Sequence, residues 1–129
     1  MDWLKSDLAK ITPETPVIAI AHIPLITLYD QITKDPTIGN GRSTVITDGK
    51  ELYDTLSSRK FIGFLEGHIH VNESYKYKGT SIIDTGAVCG AWWAGPRDGH
   101  PEGFNMVHVF PDEITTEYIT YGWDASQFA

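Results

Sequence analysis

The sequence predicts an α/β fold whose C-terminal part is built of β-hairpins. Two observations predict it. In the first half, amphipathic helical stretches alternate with two near-continuous apolar runs, the pattern of strands covered on both faces. In the second half, short strand-like runs come in pairs around turn residues. With 129 residues, 41% hydrophobic and 21% charged, the chain has the make-up of a single globular domain, 1–129.

The elements follow in order. Trp3, Leu4, Leu8 and Ile11 recur at helical spacing and predict a helix over 2–11, ended by Thr12-Pro13. Pro16 opens Val17-Ile18-Ala19-Ile20-Ala21, a buried strand that stops at His22-Ile23-Pro24. Residues 26–47, with Pro36, Gly39, Asn40 and Gly41, read as one long loop of the kind that covers sites. Asp48 to Ser58 reads as a second helix, with Asp48 as N-cap and Glu51 completing a capping box. Phe61 to Glu66 is the second buried strand and runs into Gly67-His68-Ile69-His70. Glu73 to Tyr77 and Thr80 to Asp84 form a hairpin about Lys78-Gly79. Gly86 to Gly103 is glycine-rich and irregular, and carries Trp92-Trp93. A last hairpin joins Phe104 to Phe110 with Ile114 to Thr120 through Pro111-Asp112-Glu113.

Charge narrows the function classes. Ten Lys and Arg against 17 Asp and Glu leave a net charge of −7, which lacks the electrostatic footprint of a nucleic-acid binder and suits an anionic membrane poorly. No apolar run reaches the roughly 18 residues of a membrane span. Met1 to Lys10 has no signal-peptide h-region, and compartment stays open. Cys89 is the single cysteine, so no disulfide forms within the chain.

The chemistry lies in the histidines. His22 follows one apolar strand, and His68 and His70 follow the other. In open α/β sheets ligands bind beyond the carboxyl ends of strands, so adjacent parallel strands put His22 and His68 at one rim. In extended backbone, residues i and i+2 share a side, so His68 and His70 can face one metal or two neighbouring ones, with Ile69 turned to the core. Imidazole suits Zn, Mn, Fe, Ni or Co, while Mg²⁺ and Ca²⁺ want oxygen. The alternative is an ordinary exposed H-x-H with no ligand role. His108 alternates with Val107 and Val109 and reads as a surface or packing residue. His100 and Glu102 are candidate substrate-binding residues, beside tryptophans that equally suit a packing role.

These pieces together resemble the C-terminal part of the calcineurin-like metallophosphoesterases. The resemblance rests on Trp3 to Leu8, Ala21-His22-Ile23-Pro24-Leu25, Gly67-His68-Ile69-His70, Gly86 to Trp93, Pro101-Glu102-Gly103-Phe104 and Tyr121-Gly122-Trp123, in that order along almost the whole chain. It implies a β-sandwich flanked by helices, only part of which this chain would form, and a two-metal centre that hydrolyses phosphate esters. His22 and His68 would ligate the second metal, and His70 the first. The family's D-x-H, G-D-x-x-D and G-N-H-D/E motifs belong before His22, and none stands there; Gly39-Asn40-Gly41 lacks the histidine of the third.

Those motifs supply the carboxylate that bridges two metals and the histidine that assists the leaving group. Three neutral imidazoles cannot offset the repulsion of two dications about 3.5–4 Å apart, so at most one metal is expected here. No catalytic residue is assigned within the chain, and weak or absent hydrolysis is expected of it alone. The other reading is a non-catalytic remnant that associates with itself or a partner. In either case an open sheet edge predicts a homo-oligomer or a complementary N-terminal half.

Overall fold

The computed structural model describes residues 1–128. Helix α1 spans Asp2–Leu8, strand β1 Pro16–Ile20, α2 Tyr29–Thr33, α3 Gly49–Leu56 and β2 Lys60–Glu66. Strands β3 (Glu73–Tyr77), β4 (Thr80–Asp84), β5 (Gly103–Val109) and β6 (Ile114–Thr120) follow, then a 3-10 turn at Ala125–Phe128. The fold is mixed α/β, with few and short helices.

Four strands form one sheet in the order β1-β2-β4-β3, and β5 and β6 form a separate two-stranded ribbon. β1 pairs parallel with β2 and β2 parallel with β4, while β3 runs antiparallel to β4. Leu8 of α1 and Leu56 of α3 pack on one face of the sheet against Phe61, Phe64 and Ile82. Ile114 and Val107 of the ribbon pack on the other face against Ile62 and Ile83. The chain is thus three layers: helices, sheet and ribbon.

Strand β2 departs from simple alternation. Its register to β1 slips, with Val17 opposite Phe61 but Ile18 opposite Gly63. The slip is a bulge. It lets Phe61 and Phe64, three residues apart, serve the helix side, while Ile62 joins the ribbon side. A Cβ on Gly63 would stand 2.9 Å from Ile114 Cγ1, so Gly63 leaves the slot that Ile114 fills.

Several sequence expectations change in detail. The first helix ends at Leu8 rather than residue 11, and the long loop contains the short helix α2. Asp48 occupies the N-cap position of α3 but makes no side-chain cap bond, so the capping box does not form. The Lys78-Gly79 turn is as expected: φ of 49° and 90° are the left-handed values a two-residue hairpin loop demands.

Candidate functional site

The site is built at the carboxyl ends of β1 and β2. Because these strands are parallel neighbours, their continuations leave the sheet side by side. The Gly67 N–H donates to the His22 carbonyl at 3.2 Å and extends the pairing by one step. His22 and His68 meet there, with ring centroids 5.0 Å apart and planes at 75°. His68 Nδ1 lies 3.2 Å from His22 Nε2.

Hydrogen bonding orders the rings. His68 Nε2 lies 2.8 Å from the Ser43 carbonyl, which can only accept, so Nε2 carries the hydrogen and Nδ1 keeps its lone pair. His22 Nε2–H then donates to it. His70 is ordered the same way: its Nδ1–H donates to the Gly90 carbonyl at 2.7 Å, leaving the Nε2 lone pair free. A metal-binding imidazole usually anchors its other ring nitrogen on a carbonyl or carboxylate, and His68 and His70 both do.

The Gly67-His68-Ile69-His70 segment is not extended. His68 has φ 78° and His70 φ 63°, and the Ile69 N–H donates to the Gly67 carbonyl at 3.0 Å. His68 and His70 therefore do not share a side in the way alternate residues of an extended strand do. A pair of left-handed residues takes its place, and it aims the rings at different anchors, Ser43 and Gly90. The structure brings His22 and His68 together, with His70 held separately. Among the described residues no three His, Cys, Asp or Glu gather so as to hold a metal ion.

His68 Nδ1 and His22 Nε2 nonetheless suit a metal when the His22 hydrogen stands on Nδ1 instead, which frees the Nε2 lone pair in place of the hydrogen bond. Two nitrogens at about 2.0–2.1 Å from one zinc, at a tetrahedral angle, lie about 3.3–3.4 Å apart. The observed 3.2 Å is close to that spacing.

His100 and Glu102 lie on the neighbouring loop. His100 Nδ1 accepts the Asn72 N–H at 3.1 Å, and its backbone pairs with Arg97. Glu102 is 2% exposed, and its carboxyl packs where a Cβ on Gly90 would stand, beneath the loop rather than on it. Asp98-Gly99-His100 has D-x-H spacing but follows the paired histidines in sequence, and Asp98 accepts the Tyr29 O–H. His108 is exposed on β5.

Sequence reasoning missed a group of acids under the same rim, two of them buried (Glu66 and Asp84) and one half-buried (Glu73). Glu66 and Asp84 stand opposite each other across β2 and β4, and Glu73 stands opposite Asp84 across β3 and β4. Glu66 Oε2 accepts the Leu25 N–H at 2.7 Å and Glu73 accepts the Thr27 O–H at 2.6 Å. Neither Asp84 oxygen has a hydrogen-bond partner, and the residue is fully buried. Burial, with Glu66 and Glu73 beside it, pushes the Asp84 carboxyl up to about 9. Burial, partly opposed by the Leu25 N–H, pushes Glu66 up to about 7. The signal was available: each acid closes an apolar strand, Phe64-Leu65-Glu66 and Ile82-Ile83-Asp84.

With that geometry in view, the known relatives gain meaning. The chain is 25% identical to the cAMP/cGMP dual specificity phosphodiesterase of Mycobacterium tuberculosis (strain CDC 1551 / Oshkosh), over 95% of this chain and 37% of that protein. It is 24% identical to a probable cyclic nucleotide phosphodiesterase of Rhodococcus erythropolis (strain PR4 / NBRC 100887), over 95% of this chain and 40% of that protein. The chain therefore spans about two fifths of the length of the curated relatives it matches. No family model matches it. The chain has a distant resemblance to phosphoester hydrolases.

Proposed function

We propose that this chain carries the histidine side of a metal-dependent phosphoester-hydrolysing site of the metallophosphoesterase type. The observation that carries the reading is the His22–His68 contact at the ends of adjacent parallel strands. The similarity to proteins named cyclic nucleotide phosphodiesterases supports it. In this reading His22 and His68 hold one divalent ion between them, and His70 offers Nε2 to another. Zn, Mn, Fe, Ni or Co would suit these donors. Such an ion, when bound, polarises a phosphoryl oxygen and lowers the pKa of a coordinated water. The chain's own part is to hold the imidazoles through the Ser43 and Gly90 carbonyls. His100 and Glu102 are the proposed substrate-side residues, Glu102 acting from below the loop.

The donor set limits what these residues do alone. Imidazoles are neutral, and two dications at about 3.5–4 Å need a bridging anion. The 129 residues of this chain therefore hold one ion at most, and full hydrolysis needs carboxylate donors from outside them. Zinc titration by calorimetry tests this. One ion should bind per chain, be lost in His22→Ala and His68→Ala, and persist in His70→Ala. Absence of stoichiometric binding, or binding indifferent to His68→Ala, overturns the reading. Turnover of an activated aryl phosphate ester with Mn²⁺ should stay near background, and ordinary enzymatic turnover would overturn the one-ion limit.

A second reading, an associating non-catalytic module, is favoured by one observation. β1 is an outer strand of the sheet, and Ile20 at its end is 78% exposed. Exposed strand edges of this kind are normally paired or covered. A second copy or a complementary segment would cover it. Light scattering should then show association, and a clean monomer at high concentration counts against it.

A further inference from the structure

Beside His70 the loop 86–103 does something costly. Trp92 and Trp93 both take left-handed backbone, φ 55° and 70°, a conformation disfavoured for aromatic residues. A mesh of short bonds holds them there. The Trp93 N–H donates to the Cys89 carbonyl at 2.6 Å, and the Ala91 N–H to the Gly95 carbonyl at 2.8 Å. Gly90, at φ 49°, has no room for a Cβ, which would meet the Gly95 carbonyl oxygen at 2.6 Å. The Gly90 carbonyl also anchors His70, so the histidine ring is tied to this turn.

The two tryptophans have different fates. Trp93 packs edge-on against Trp123 at 5.0 Å, and its carbonyl accepts the Trp123 Nε1–H at 3.1 Å. Trp92 stands out at 67% exposure. Its ring centroid is 4.8 Å from that of His70, at a tilt of 38°. The Arg97 guanidinium lies 5.6 Å from the same ring. A strained, tightly held turn thus presents a large flat apolar surface to solvent, next to a candidate ligand imidazole and a cation. Arg97 is itself paired, its Nε 3.2 Å from an Asp98 carboxylate oxygen, so it flanks the ring as half of an ion pair.

We propose that Trp92, with Arg97 beside it, is the subsite for the planar base of a nucleotide-type phosphoester whose phosphate lies toward His70. The proposal rests on the phosphoester reading above and adds the residue that would recognise the base. An indole offers every base a π-face, and stacking of this kind is worth about 1–3 kcal/mol per base, roughly 5- to 150-fold in affinity. Such a platform favours nucleotides over phosphoesters without a ring and discriminates little among bases.

The test is an NMR titration of the whole chain with equimolar Zn²⁺. The indole N–H of Trp92 is assigned by its loss in Trp92→Phe, and the probes are adenosine 5′-monophosphate, ribose 5-phosphate, inorganic phosphate and adenosine. The nucleotide should shift the Trp92 signal saturably and bind about 5- to 150-fold more tightly than ribose 5-phosphate. Trp92→Leu should erase that difference, and Trp92→Phe should restore part of it. The ring C–H signals of His22, His68 and His70 report phosphate separately. If phosphates shift them but the nucleotide gains nothing and Trp92 stays silent, the subsite is overturned and the phosphoester reading stands. If adenosine binds as tightly as the nucleotide and phosphate shifts no histidine, the phosphoester reading falls and the proposal with it. Absence of saturable binding by any probe overturns both.

Discussion

Replacing Asp84 by asparagine should stabilise the protein at alkaline pH. The Asp84 carboxyl is fully buried, has no hydrogen-bond partner, and faces Glu66 and Glu73. Its folded value is pushed from 3.8 up to about 9, so the folded state holds a proton that the unfolded chain releases. The sign follows from linkage. Where the native state binds more protons than the unfolded state, stability falls as pH rises. The loss begins near the unfolded value of 3.8 and saturates above about 9. At about 1.4 kcal/mol per unit, keeping the proton costs roughly 6 kcal/mol at pH 8 but under about 2 kcal/mol at pH 5. The folded state can relax at high pH, so half of the difference, about 2 kcal/mol, is a reasonable minimum. For a chain of this size that is a shift of roughly 8 °C. Asparagine has the same shape and no proton to lose. Thermal unfolding of both proteins from pH 5 to 9 is the assay. The wild-type melting temperature should fall steeply across this range and that of Asp84→Asn much less, with part of the remaining slope coming from Glu66, raised to about 7. Parallel curves, or an Asp84 carboxyl resonance titrating below pH 5, would refute the reasoning.

Other perturbations test the frame around the site. Gly103→Ala puts a Cβ 2.6 Å from the Ile119 carbonyl oxygen, which is backbone and cannot yield, so denaturant unfolding should show a loss of about 1–3 kcal/mol. Gly99→Ala meets no atom but has φ 86°, so its smaller loss should come from backbone strain alone. Ile114→Ala removes the side chain that locks the ribbon to the sheet; it is 2% exposed, and about 2–5 kcal/mol should be lost in the same measurement. Lys50→Ala breaks an ion pair with Asp54 whose lysine side chain is 88% exposed, and should change the melting temperature within error.

Strand and helix positions were legible because their signals are local. Phe61 to Leu65 is an apolar run that suits a covered strand and forms one, and Lys78-Gly79 marks the hairpin turn. Val17 to Ile20 has the same pattern and is a strand, but it lies at the sheet edge with Ile20 78% exposed, so it is not buried on both faces as its pattern predicts. The capping box was misread because cap residues acquire their bonds from the geometry of chain entry, and Asp48 enters at ψ 24°, outside the extended region. The bulge at Ile62 and Gly63 was invisible because it answers to Ile114, about fifty residues away in sequence.

The same division holds at the site. Sequence alone put His22 and His68 at strand ends and marked His70 as their neighbour, since periodicity and strand order are short-range properties. The tertiary structure decided the rest. It turned His68 and His70 into left-handed backbone, separated their anchors at Ser43 and Gly90, buried Asp84 among acids, and left Trp92 in the open. Each of these depends on which distant backbone group or charge comes within hydrogen-bond or Coulomb range, and only the packed chain sets those distances.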